Sequence, residues 1–219
     1  MAKLAAVRGF VSGVVFFLGV QTALASEPGN PPDWCRNGAF ASDQNKLRIV
    51  RALRKTGLLI DSGQKKGCPQ AGASCVLADS HADASDELLI NSELPGFFCA
   101  YRPANGDGGW VAKSDVAVET PQPSGNPPIA AWVGRWHDDD DWIRIVRKGN
   151  SLRLTGRASW ARRNFGDFDG TAVPSANKLE TNDDICKVSM TLVGSYLVVD
   201  DNGQCGGMNV RFTGVYKRR

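Results

Sequence analysis

The sequence predicts a mainly β protein: two small antiparallel barrel or sandwich modules behind an N-terminal signal peptide. Three observations carry this. Short runs of alternating apolar and polar residues are separated by Gly, Asn, Asp and Pro. A proline-rich stretch interrupts the chain near its middle. Six cysteines divide four before residue 120 and two after it, and an even count in an exported chain reads as disulfides.

The first segment, residues 1–25, carries Lys3 and Arg8, an uncharged run from Phe10 to Val20, and Gln21-Thr22-Ala23-Leu24-Ala25. This is the layout of a cleavable signal peptide, with cleavage after Ala25. The apolar run is far short of the roughly 20 residues that a membrane-spanning helix needs, so the processed chain is expected to hold no integral membrane segment. The expected location is periplasmic or secreted. The full chain has a formal charge of +3; without Lys3 and Arg8 it is near +1. That balance gives no reason to expect a nucleic-acid partner, which calls for a basic stripe with interleaved aromatics.

Residues 33–119 are read as the first module. Leu47 to Leu53 fits a strand through Leu47, Ile49 and Leu53 or a helix through Leu47, Val50 and Leu53; we read it as a strand. Glu87-Leu88-Leu89-Ile90, Phe97 to Tyr101 and Gly109 to Ala112 are further short β-prone runs. Cys35, Cys68, Cys75 and Cys99 allow three pairings, and the sequence leaves the choice open. The stretch Asn105-Gly106-Asp107-Gly108-Gly109-Trp110-Val111-Ala112-Lys113-Ser114-Asp115-Val116 resembles the closing strand of bacterial SH3-like domains, in which Gly-Trp-Val is followed four or five residues later by an aliphatic residue. The resemblance implies an SH3-like module, a fold associated with binding.

Residues 120–128 contain Pro121, Pro123, Pro127 and Pro128 and no large apolar side chain, which marks a linker. Residues 129–219 form the second module, expected as a small barrel of roughly eight strands. Trp142 to Arg147 is a strand, Gly149-Asn150 a hairpin turn, and Ser151 to Trp160 the return strand, with Leu152, Leu154, Gly156 and Ala158 on one face. Cys186 to Leu192 alternates strictly, Gly194-Ser195 reverses the chain into Tyr196–Val199, residues 200–203 turn again, and Asn209 to Tyr216 makes the last strand. This return places Cys186 and Cys205 at one end of the sheet and predicts their disulfide. Trp132, Trp136 and Trp142 are expected in the core. The segments Trp132-Val133-Gly134-Arg135-Trp136 and Cys205 to Val210 are similar to C-terminal modules of exported bacterial envelope proteins, some grouped with lysozyme-inhibitor-like proteins.

No Gly-x-Ser-x-Gly occurs, and the cysteines are expected to be oxidised, so nucleophilic catalysis has no evident apparatus. The chain is expected not to be an enzyme. His81 and His137 are the only histidines. His137 precedes Asp138-Asp139-Asp140-Asp141, but the spaced oxygens and glycine of a calcium loop are missing, so neither a metal nor another cofactor is expected. The candidate binding residues are Trp160, Arg162, Arg163 and Phe165, an aromatic-arginine combination favoured at binding hot spots, together with the acidic Asp138, Asp139, Asp140 and Asp141. The expected function is a non-enzymatic exported binding protein that engages a cell-wall peptide or glycan, or an envelope protein. The alternative is a lysozyme inhibitor whose acidic turn meets a basic hydrolase. An enzyme acting on envelope polymers is the third reading.

Overall fold

The computed structural model describes residues 33–120, 122, 125–182 and 185–218. The signal segment and its cleavage point lie outside the described residues. Among these residues fifteen strands divide into two antiparallel sheets, the mainly β architecture read from the alternating runs.

The first sheet contains β1 (Arg48–Ala52), β2 (Thr56–Leu59), β3 (Val76–Ala82), β4 (Glu87–Leu94), β5 (Phe97–Arg102), β6 (Asp107–Ala112) and β7 (Val116–Val118), in the order β3-β2-β6-β5-β4-β1-β7. Successive side chains on a strand point to opposite faces, and here both faces are covered. Val50, Leu88, Ile90, Ala100 and Val111 enter one apolar cluster, while Ile49, Leu89, Cys99, Tyr101 and Trp110 enter another. Strands buried on both sides lose a clean period of two, which is why Leu47 to Leu53 is ambiguous by periodicity. It is strand β1, and Leu53 lies beyond it, exposed.

The segment before β1 lies over the second of these clusters. Its Cys35 is joined to Cys99 of β5, and Arg36 grips the fully buried Asp61 with two hydrogen bonds of 2.7 and 2.8 Å. Phe40 stacks on Tyr101 at 5.5 Å. Cys68 pairs with Cys75, which settles the pairing that the sequence left open.

After a short helix α1 (Ile129–Trp132), the second sheet contains β8 (Gly134–Asp138), β9 (Asp141–Lys148), β10 (Ser151–Trp160), β11 (Asn164–Ala172), β12 (Lys178–Asn182), β13 (Lys187–Val193), β14 (Tyr196–Asp201) and β15 (Gly214–Arg218). Their order, β11-β10-β9-β8-β15-β14-β13-β12, makes a nearly closed eight-stranded barrel. At the remaining seam β11 and β12 lie side by side without a hydrogen-bonded ladder. Gly170 is required there, because a Cβ would overlap Thr181 Oγ1 across the seam. Inside, Leu152, Leu154 and Ala158 of β10 face Ile143, Ile145, Val188, Met190 and Phe212. Trp132 and Trp136 are fully buried, and the Trp136 indole donates to the Trp132 carbonyl at 3.0 Å.

Three expectations are corrected. Trp142 is only half-buried, lying on the barrel surface with the Arg135 guanidinium 4.9 Å from its ring. Asp200 and Asp201 belong to β14, not to a turn. The last strand begins at Gly214 rather than Asn209: Val210 and Phe212 still point inward, but the Phe212 N–H is taken by the Asp201 carboxylate instead of a neighbouring strand, and Asn209 has a left-handed backbone with φ +63°.

The two modules pack against each other through an apolar contact. Val193, Tyr196, Val198 and Val215 on the outside of the barrel join the cluster of Cys35, Phe40, Leu89 and Tyr101. Polar bonds flank it: Thr191 Oγ1 donates to Gln44 Oε1 at 2.7 Å, and the Lys217 ammonium donates to the Pro103 carbonyl. Within the expected linker, the Gln122 side chain pairs with the backbone N–H and C=O of Ile49, both at 2.9 Å.

Candidate functional site

Hairpin connections set the stage. β9 starts and β10 ends at the same end of the barrel, so the β8–β9 turn and the β10–β11 turn are neighbours there. The Ser159 N–H donates to Asp141 Oδ1 at 2.8 Å, and Arg162 Nε lies 3.7 Å from Asp140 Oδ2. The acidic stretch and the aromatic-arginine stretch, 20 residues apart in the chain, thus form one rim. Both turns hold non-glycine residues in the left-handed region: Asp139 at φ +50°, Ala161 at +52° and Arg162 at +56°. Such conformations cost of order 1 kcal/mol or more each.

The proposed aromatic pair divides between two faces. In the β10–β11 register Trp160 lies opposite Asn164 and Phe165 opposite Ser159, so the two rings leave opposite sides of the ribbon. Trp160 continues the inward row of Leu154 and Ala158 past the end of the core and stands at the barrel mouth, 48% exposed. Phe165 points outward, 54% exposed, into an open groove of about 700 Å³ whose walls include Ile185, Gln204 and the Cys186–Cys205 disulfide. Ile185 and Met208 are also exposed, at 67% and 77%; the Asn164 amide, donating to the Met208 carbonyl at 2.9 Å, holds Met208 beside the start of β11. Four exposed large apolar side chains therefore belong to the segments that build this one end. Arg163 makes no ion pair among the described residues, whereas Arg157 is occupied by Asp167 at 2.8 Å.

The four aspartates also separate. Asp139 and Asp140 are exposed; Asp138 and Asp141 are half-buried. Burial, reinforced by the charges of Asp139 and Asp141, pushes the Asp138 carboxyl up to about 6, against the pull of the Val215 N–H and of Lys217. Burial likewise raises Asp141 to about 6, with Asp140 and Asp139 adding to it and the Ser159 N–H opposing. Asp138, directly across from Asp141 in the β8–β9 register, also lines a cleft of about 340 Å³ between the modules, with Tyr101, Asn105 and Pro103.

Two further groups escaped the sequence reading. Asp201 is buried and accepts the backbone N–H groups of Gly203, at 2.5 Å, and Phe212, so its role is to fold the 202–213 segment over the barrel end. Tyr101, an anonymous strand residue in sequence, lines the cleft. His81 and His137 stand in different modules, and among the described residues no three His, Cys, Asp or Glu side chains gather to hold a metal ion. Neither a protein-family model, nor a curated protein, nor a solved structure matches the chain.

Proposed function

We propose that the chain is a non-enzymatic exported binding protein that engages a cell-wall polymer or an envelope protein with the rim built by the β8–β9 and β10–β11 turns and the disulfide-tied loop. One observation carries this reading: exposed Trp160, Phe165, Ile185 and Met208 lie with Arg162 and Arg163 at one end of the barrel, on its two faces. Leaving such side chains in water is unfavourable and a partner that covers them removes that cost, and the left-handed turns that present them add to the cost of folding without one. Three disulfides accord with an oxidising, extracytoplasmic location, here assigned to the periplasm or the exterior. We also propose that the first module is SH3-like, which adds a second binding fold to the chain.

The test is co-sedimentation of the purified protein with insoluble peptidoglycan, run beside inhibition of lysozyme. Binding in the first assay assigns a wall polymer, and inhibition in the second assigns the alternative partner. Trp160→Ala and the double variant Arg162→Ala/Arg163→Ala should each abolish the positive signal while shifting stability by less than about 0.5 kcal/mol, as exposed substitutions do. Retained binding in both variants refutes the rim.

A further inference from the structure

On the other side of the acidic turn, the cleft between the modules is chemically distinct from the rim. Its walls are polar, and they come from both sheets: Tyr101 and Asn105 from the first module, Asp138, Asp139 and Lys217 from the barrel. Two basic side chains also line it: His137, and Lys217, whose ammonium donates to the Pro103 carbonyl. Two adjacent carboxylates remain, and a third, Asp107, is close enough to act with them in raising the Tyr101 phenol well above its ordinary range, a shift led by burial.

Tyr101 provides a second, independent sign of a ligand. Its side chain is 5% exposed and its ring is fixed by stacking on Phe40. The phenol reaches the cleft wall, with its oxygen 3.5 Å from where a Cβ on Gly106 would lie. No hydrogen bond is made by that hydroxyl among the described residues. The ring is buried while the hydroxyl is left to the cleft, where a tyrosine hydroxyl takes its partner from solvent or a ligand. Here the hydroxyl opens onto the cleft that Asp138 and Asp139 also line.

We propose that this cleft binds a primary ammonium group carried by a small polar molecule, with Asp138 and Asp139 supplying the counter-charge and the Tyr101 oxygen accepting one of the N–H bonds. A tetrahedral ammonium has three donors, which suits acceptors converging from two walls better than a planar guanidinium. Charge-assisted hydrogen bonds to a half-buried carboxylate are the strong class. An ammonium in the cleft also relieves the repulsion among Asp138, Asp139 and Asp141. Two sources share this chemistry: an amino sugar and the side-chain amine of a lysine-like residue. The cleft volume admits either one at a time.

The site shares only the β8–β9 turn with the rim, and its test is separable from that of the rim. Amide chemical shifts of the full disulfide-bonded chain are followed at pH 7.5 during titration with D-glucosamine and, separately, with Nα-acetyl-lysine amide. N-acetyl-glucosamine and the Nε-acetylated lysine derivative serve as the uncharged controls. At least one amine should shift the Tyr101, Asn105, Asp139 and Lys217 amides with saturation, and acetylation should weaken it about tenfold or more, the equivalent of about 1.4 kcal/mol. Which amine binds identifies the source. Asp139→Asn and Tyr101→Phe should each weaken binding several-fold with an otherwise unchanged spectrum, and Arg162→Ala/Arg163→Ala should leave it intact. No saturable shift with either amine, equal binding of the acetylated controls, or shifts that map away from the cleft would overturn the assignment.

Discussion

Replacing Asp138 by Asn should stabilise the protein near neutral pH, and only there. The folded-state carboxyl titrates at about 6 against an ordinary 3.8, a rise caused first by burial and then by Asp139 and Asp141. A raised carboxyl means that the folded protein binds the proton more tightly than the unfolded chain between these two values. Ionising Asp138 therefore costs stability as pH rises from about 4 to about 6, and the whole cost is present above that window. About two pKa units at about 1.4 kcal/mol each would give about 3 kcal/mol; for a half-buried group reached by solvent we reduce this to about 1–2 kcal/mol. Asparagine keeps an oxygen to accept the Val215 N–H and removes the charge. Urea unfolding of the two proteins at pH 7.5 should show the variant more stable by that amount, and the difference should shrink towards zero by about pH 4. Asp141, freed of its neighbour's charge, should titrate lower in the variant. A variant that is no more stable at pH 7.5, or whose advantage does not change with pH, would refute the placement of a desolvated carboxylate in the cleft.

Replacing Cys186 and Cys205 together by Ala removes a cross-link between positions 19 residues apart and should cost about 3 kcal/mol by the chain-entropy account; an unchanged thermal midpoint would exclude it. Gly170→Val should lose about 1–3 kcal/mol through overlap with Thr181 at the barrel seam, with partial recovery in a Thr181→Ala background; equal losses in both backgrounds would show the strain lies elsewhere. Limited proteolysis should cut first between Thr120 and Pro128, and because Val193, Val198 and Val215 pack into the cluster of Phe40 and Tyr101, the two fragments should co-elute on gel filtration. Fragments that separate without denaturant would contradict that contact.

Legibility followed the physics of each segment. The barrel strands were readable because one face is in the core and the other in water: Leu152, Leu154 and Ala158 alternate with Arg153, Thr155 and Arg157, and the turns at Gly149 and Gly194 have the positive φ for which glycine is suited. The Cys186–Cys205 bridge followed from that same hairpin. The first sheet was harder, because Leu88, Leu89 and Ile90 are all buried, alternately in two clusters, which erases the period. Asn209 to Tyr216 misled for the opposite reason: its side chains alternate as in a strand, but its backbone bonds to Asp201 rather than to a sheet neighbour. Alternation records which way side chains face. It does not record where the N–H groups go.

The candidate site was legible residue by residue and illegible as an arrangement. Trp160, Phe165 and the Asp138–Asp141 run stand out by type, but cross-strand register, one residue either way, decides whether two aromatics share a face, and here it separates them. Asp138 also lines a cleft against a module that begins about a hundred residues earlier. No local pattern can announce that meeting, because the partner, Tyr101, is an ordinary strand residue until the barrel packs against it. A junction selected for adhesion alone would fill this position with an apolar side chain, which costs nothing to desolvate. Instead it retains a carboxylate that resists ionisation and a tyrosine whose hydroxyl opens onto the cleft. The cost at Asp138 is relieved by the arrival of a donor-rich cation between the two walls. The stability lost at Asp138 and the open hydroxyl of Tyr101 thus belong to one geometry, and the asparagine and phenylalanine variants probe its two sides.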